Sequence, residues 1–253
     1  MQNDLITQCF YIPEREVLFV SADMSNFLID YYLHIKQHVK HLKPEDDAKL
    51  KELIGCFAIH LALRPATESH AWTLHMMAHA PFSLFVTGDA EKRYIAGHVL
   101  YDEIRHTDVN MMHAQVIRKN ESSKSSVQSE HSEPNKIVEH FYSQSEQLPI
   151  RFHISTTSDN IYAVAAMPGY DSEWFESADI RALSGEYSSS RPNMRTCAFR
   201  FFCDCSPEKL IPFFRTIDEK TLDELYGNDK ELIISCPRCG KAFQLKRTDL
   251  ILS

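Results

Sequence analysis

Cys203-Asp-Cys205 and Cys236-Pro-Arg-Cys239-Gly240, separated by residues 206–235, decide how the last fifty residues of this chain are read. Zinc takes four ligands in a tetrahedron and binds soft thiolates strongly, and a Cys-x-x-Cys turn can place both of its sulfurs on one ion. Pro237 stiffens that turn, and Gly240 can adopt a positive φ that swings nearby N–H groups toward the thiolates. The insert reads as a helix from Ser206-Pro207 to Phe214, a second from Glu219 to Tyr226, and a strand at Leu232-Ile-Ile-Ser235. Compact inserts of this kind separate the cysteine pairs of zinc ribbons. The expectation is one zinc per chain, held by Cys203, Cys205, Cys236 and Cys239. Arg200, Arg238, Lys241, Lys246 and Arg247 lie close in sequence and offset the negative charge of a four-thiolate site. Four thiolates leave no open position for water, which argues against hydrolytic catalysis. Zinc-bound thiolates can still be oxidised to disulfides, and the metal then leaves with the folding energy it supplied. The Cys-x-Cys pair, less common in passive ribbons, tilts the reading toward regulation.

The remaining cysteines, Cys9, Cys56 and Cys197, stand alone in a chain of 253 residues. Two clustered pairs among seven cysteines suit a reducing compartment better than a secreted disulfide scaffold. The residues are 43% hydrophobic and 25% charged, enough for one substantial core and a smaller module. A net charge of −8 disfavours general nucleic-acid binding. No apolar run approaches the roughly 18–20 residues needed to cross a bilayer, and the N-terminus does not read as a secretory signal. A cytoplasmic location without membrane association is expected.

Upstream, Val17-Leu-Phe-Val20 reads as a strand. Asp23 or Ser25 then caps a helix with Phe27, Leu28, Tyr31, Ile35, Val39 and Leu42 at helical spacing. Pro44 opens a second helix to about Leu63, ended by Arg64-Pro65. Trp72, Leu74 and Met76 alternate as in a strand, residues 83–86 and 94–100 flank a hairpin turn, and Met112 to Ile117 is another strand. Residues 119–136, rich in Ser, Glu, Lys and Gln, read as a flexible loop. A helical stretch at 137–146 and a strand pair at 151–155 and 161–166 close the domain, and Pro168-Gly169 punctuates its end. Residues 171–196 are polar and Ser-rich, with a thin apolar stripe of Trp174, Phe175, Ile180, Leu183 and Tyr187. Such a segment is ordered only where it docks on something else.

The spacing Cys203-x-Cys205 … Cys236-x-x-Cys239 resembles the signature of the heat shock protein 33 family, the redox-regulated holdase chaperones. Far upstream, Glu139-His-Phe-Tyr142-Ser-Gln-Ser145-Glu146-Gln147-Leu-Pro149 is similar to that family's motif of an aromatic residue shortly before Ser-Glu-Gln-x-Pro. The resemblance implies an α/β (α+β) N-terminal domain over residues 1–170, a short helical linker over 171–197 and a small C-terminal zinc-binding domain over 198–253. It also implies a zinc-bound, inactive reduced form. Oxidation would join neighbouring cysteines in disulfides within Cys203–Cys205 and Cys236–Cys239, release zinc and unfold that domain and the linker. The exposed apolar surface then binds unfolded client proteins without ATP, commonly as a homodimer, and no enzyme activity is implied. Three departures stand out. Ala78-His-Ala80-Pro81 replaces a Gly-x-Gly-Pro turn, the Ser-rich stretch 122–132 replaces a more apolar strand, and the span from Pro168 to Cys203 is shorter than the usual linker. The alternative is a zinc-ribbon module with structural zinc that docks a nucleic-acid or protein partner.

Other residues have plainer readings. His34, His38 and His41 fall at i, i+4 and i+7 and read as solvated surface residues, and His75 and His79 as packing or surface residues. Met76-Met77 and Met111-Met112 read as core, as does Cys197. Ser145 and Glu146 have no nucleophile–base partner, so their motif reads as structural.

Overall fold

The computed structural model describes residues 3–39, 41–77, 81–101, 109–119, 121–190, 192–227 and 229–248, without the side chains of 186–190. The departure at Ala78–Ala80, including His79, and the Tyr187 side chain lie outside the described residues. The elements are β1 (Asp4–Ile12), β2 (Val17–Asp23), α1 (Phe27–His38), α2 (Pro44–Leu63), β3 (Ser69–Met76), β4 (Phe82–Asp89), β5 (Tyr94–Leu100), β6 (Asn110–Ile117) and β7 (Ser122–Ser129). Then come α3 (Pro134–Phe141) with a π-turn over Tyr142–Glu146, β8 (Ile150–Ile154), β9 (Asn160–Ala166), α4 (Ser172–Ser177) and α5 (Ile180–Ser190). Last are β10 (Arg195–Phe201), α6 (Pro207–Phe214), α7 (Glu219–Tyr226), β11 (Glu231–Ser235) and β12 (Ala242–Lys246).

Ten strands form one sheet in the order β7-β6-β3-β4-β5-β10-β1-β2-β9-β8, while β11 and β12 make a separate hairpin. Neighbours in the large sheet pair antiparallel except β10 with β5. The long helix α2 lies against this sheet and is buried continuously from Leu53 to Ala62. A helix enclosed on all sides needs no polar face, which explains its run of Leu, Ile, Cys, Phe and Ala. At Gly55 an added Cβ would collide with Ile161 of β9, so the helix backbone sits directly on the sheet there.

Strands β1, β2 and β9 are buried on both faces, which is why Val17–Val20 is apolar at every position. One face, with Leu5, Cys9, Val20, Ala22, Ile161 and Ala163, meets the α2 core. The opposite face, with Phe10, Ile12, Val17, Phe19, Val164 and Ala166, is covered by Phe175, Ile180 and Leu183. The thin stripe of the linker therefore docks as a lid over a second apolar cluster. Asp171 caps α4 by accepting from Trp174 N–H at 3.0 Å, and its carboxylate also meets Arg15 at 2.5 Å. Phe175→Ala should cost about 3–5 kcal/mol of that docking. Amide exchange should then quicken across 172–185 while the α2 core keeps its protection; unchanged exchange there would show that the lid does not depend on this ring.

Three sequence expectations are corrected. Residues 119–136 are not a loop: 122–129 form the edge strand β7, paired with β6 from Asn110↔Ser129 to Ile117↔Ser122. An edge strand gets its register from backbone pairing, and its outward serines carry no apolar signal. Helix α1 ends at His38, because Val39 is extended, so Val39, His41 and Leu42 leave the helix face. Its start, Asn26, has no side-chain cap; Asp23 instead accepts from Ser25 N–H at 3.0 Å. Strands β1 and β10, absent from the sequence reading, join the two halves of the sheet.

The motif from Glu139 to Pro149 is a structural staple. Tyr142 Oη lies 2.6 Å from His60 Nδ1, Glu146 pairs with Arg64, and Glu139 accepts from Phe152 N–H at 2.8 Å. Gln147 follows the π-turn in a left-handed conformation, φ 58°.

Candidate metal centre

Strand β10 runs out of the large sheet at Phe201 and delivers Cys203 and Cys205 beside the turn between β11 and β12, which carries Cys236 and Cys239. The four sulfurs lie within 4.8 Å of one another. Cys203 Sγ is 3.8 Å from Cys236 Sγ, and Cys205 Sγ is 3.6 Å from Cys239 Sγ. A tetrahedral ion with metal–sulfur bonds of about 2.3 Å has sulfur–sulfur edges of about 3.8 Å. The spacing thus fits a shared ion. It is far wider than the roughly 2.05 Å of a disulfide.

The turn is closed by Gly240 N–H to Cys236 O at 2.8 Å and Cys236 N–H to Lys241 O at 2.9 Å. Gly240 sits at φ 74°, the positive φ anticipated from sequence. Electrostatics point the same way as the distances. Thiol hydrogen bonds from Cys203 and Cys239, with help from backbone N–H groups, lower Cys236 to about 2. Its charge and hydrogen bond then push Cys203 up to about 12. Cys239 is raised by Cys203 and Cys236, and Cys205 by burial and the Cys236 charge. One thiolate suppresses the other three, and only a cation among the sulfurs lets all four ionise.

The site is seated on the first domain. Cys236, Cys239 and Ala96 of β5 form one buried cluster, with Cys203, Cys205 and Phe243 packed on it. His34 Nε2–H of α1 donates to the Cys239 carbonyl at 2.8 Å. His98 of β5 lies under Gly240, where an added Cβ would stand 2.5 Å from the imidazole. Burial lowers His98 to about 4 and also lowers His34. The reading of His34 as a solvated surface residue is therefore corrected: its ring is half-buried between the cysteine turn and Phe201, 5.2 Å away. His98 carried no sequence signal, since it occupies an ordinary alternating strand position.

The other cysteines lie elsewhere. Cys9 and Cys56 are buried, and Cys197 packs partly buried on the main core. Of the basic residues near the site, Arg247 pairs with Asp223, Lys241 lies over Phe243 and Arg200 over Phe202. His75 lies 2.8 Å from Ser83 Oγ and stacks edge-on with His113, as a packing residue would. Met76 and Met112 are core residues.

A ten-stranded sheet with a cluster of four cysteines seated on it defines the class, a mixed α/β protein with a metal-competent thiol site. Residues 172–246 match the family model described as Hsp33 protein. No curated protein matches the chain. Among solved structures, the 33 kDa chaperonin (heat shock protein 33 homolog) of Thermotoga maritima is similar, at 13% identity and a TM-score of 0.67, over 99% of this chain and 97% of that one. The family-model match is confined to residues 172–246, and the solved structure shares the fold along nearly the whole chain. Among the described residues no helix is long and apolar enough to cross a membrane.

Proposed function

We propose that this chain is a redox-regulated, ATP-independent holdase of the cytoplasm, with one zinc held by Cys203, Cys205, Cys236 and Cys239 in the reduced state. The observation that carries this reading is the closed set of four sulfurs within 4.8 Å, seated on a sheet domain whose apolar face away from α2 the linker covers. Zinc, when bound, supplies the positive charge that keeps all four sulfurs as thiolates. Under peroxide, each pair of thiolates gives up two electrons and joins in a disulfide, while the peroxide takes those electrons and two protons and leaves as two waters. Pairing within Cys203–Cys205 and Cys236–Cys239 removes all four ligands. Either side of the cluster is within reach, since every sulfur lies within 4.8 Å of the others.

The consequence follows from how little else holds the module. Beyond Phe201 the buried apolar side chains, among the described residues, are Tyr226, Cys236, Cys239 and Leu245. A core that small does not persist without its metal. As the module loosens, β10 and the preceding linker lose an anchor. Undocking of Phe175, Ile180 and Leu183 uncovers Phe10, Ile12, Phe19 and Val164, an apolar face suited to unfolding chains. Oxidised protein exposing this face is expected to pair as a homodimer. The nucleic-acid alternative is weakened by acidic partners inside the module, where Lys209 pairs with Asp204 and Arg247 with Asp223.

The test is peroxide with mild heat, reading zinc release to a coloured chelator and aggregation of a thermally unfolding client. Oxidised protein should suppress aggregation and reduced protein should not, with a weaker dependence on heat than a long-linker relative shows. Zinc release with unchecked aggregation would leave the metal as a structural staple. Equal protection by the reduced form would mean a chaperone without this switch.

A further inference from the structure

We infer that His34 on α1 and His98 on β5 are positioning residues for the thiolate site, so that the first domain itself governs how tightly the metal is held. The inference rests on the zinc reading above and concerns the regulation of that site. Its basis is the seat of the cysteine turn. Cys239 is completely buried, yet the turn carrying it belongs to a two-stranded hairpin with little core of its own. What encloses it comes from the other domain: Ala96 beneath the sulfurs, His98 beneath Gly240, and the His34 N–H on the Cys239 carbonyl.

The two imidazoles act differently. His34 satisfies the carbonyl of a ligand residue, and with Nε2 as the donor its tautomer is set. The ring is clamped between His38, 4.9 Å away, and Phe201, 5.2 Å away, so the donor is already aimed before the turn closes. His98 is a floor with no hydrogen bond to the turn. It leaves no room for a side chain at residue 240, so Gly240 is required both by its positive φ and by this contact. Partners that orient metal ligands from outside the coordination sphere change affinity about 10–100-fold when removed.

Coupling of this kind is reciprocal. A docked first domain tightens the metal, and a held metal stabilises the docking of α1 and β5. Anything that loosens α1, heat included, then lowers the metal's hold and exposes the thiolates to oxidant. Sensitivity to heat is thereby carried in part by the direct contact of His34 and His98 with the cysteine turn. Loss of the ligands likewise frees the turn from His34 and from His98, which lines an existing cleft of 680 Å³ with His38, Val99, Tyr101, Ile233 and Ala242.

The experiment compares reduced, zinc-loaded full chains of wild type, His34→Ala, His34→Gln and His98→Ala, reading zinc transfer to a competing chelator and amide exchange over 27–38 and 94–100. His34→Ala and His98→Ala should each speed zinc loss about tenfold. The glutamine amide can place a donor where Nε2 stood, so His34→Gln should return to within about twofold of wild type. Stripping zinc from wild type should quicken exchange in both segments. Wild-type zinc retention by both alanine variants, or no change in exchange on stripping, overturns this inference alone. A wild type that holds no zinc removes the thiolate reading along with it.

Discussion

Cys236→Ser should abolish zinc binding and unfold the C-terminal module while leaving the sheet domain standing. Structural zinc contributes about 10–16 kcal/mol in small zinc peptides, and a tetrathiolate site does not survive the loss of a buried ligand at its centre. The packing left behind, chiefly Tyr226 against Leu245 with its hydroxyl donating to the Leu245 carbonyl at 3.3 Å, is far too small to replace it. The readouts are metal content and trypsin cleavage. Lys209, Arg215, Lys220 and Lys230 should become fast sites, whereas the α2 core should melt near its wild-type temperature. Cys9→Ser should keep full zinc, since that thiol lies in the main core rather than at the site. A Cys236→Ser protein with one zinc per chain would end the assignment.

Acid should destabilise the first domain, starting just below the ordinary histidine pKa. His60 and His70 are both buried in the core, with His60 Nε2 3.0 Å from His70 Nδ1. One consistent arrangement has Tyr142 donating to His60 Nδ1, His60 Nε2–H donating to His70 Nδ1, and His70 Nε2 facing Glu68 at 3.3 Å. That last contact is an ion-pair distance without hydrogen-bond geometry, so His70 Nε2 stays poorly satisfied. Burial, then the neighbouring His70 and Arg64, holds His60 well below 6.5. Burial lowers His70 too, with Glu68 opposing and Arg64 and Arg118 assisting. For a base depressed by folding, stability is complete above the unfolded pKa and falls as pH drops below it. Each proton taken up only by the unfolded chain costs about 1.4 kcal/mol per pH unit. Denaturant midpoints should therefore hold steady from pH 8 to 7 and fall steadily between about pH 6 and 5. In His60→Asn the slope should shrink by roughly one proton, whatever the variant's absolute stability. A flat wild-type profile over that interval would contradict the buried neutral pair.

Several elements were legible because their signals are local. The proline that opens α2, the alternation of Trp72, Leu74 and Met76, and the start and end of α6 and α7 appear in the structure as read. Proline fixes φ and alternation follows the pleat, so neither depends on a distant partner. Strand β7 was illegible for the opposite reason: eight residues rich in serine become a strand only because β6 offers an unpaired edge. Strand β10 was hidden because it follows a polar linker, and its place between β5 and β1 is a pairing across more than a hundred residues.

Residue type and spacing alone singled out the four cysteines, the turn that brings two of them together, and the freedom of Gly240 to take a positive φ. Those are properties of residue type and short-range spacing. Tertiary structure alone decided what the site rests on. His34, which reads as solvated on an isolated helix, and His98, one alternating position in a strand, acquire their roles only when α1 and β5 meet the cysteine turn from more than a hundred residues away. Burial and hydrogen bonding between distant segments leave no periodic trace in either segment, because each contact is satisfied by geometry that neither stretch encodes alone.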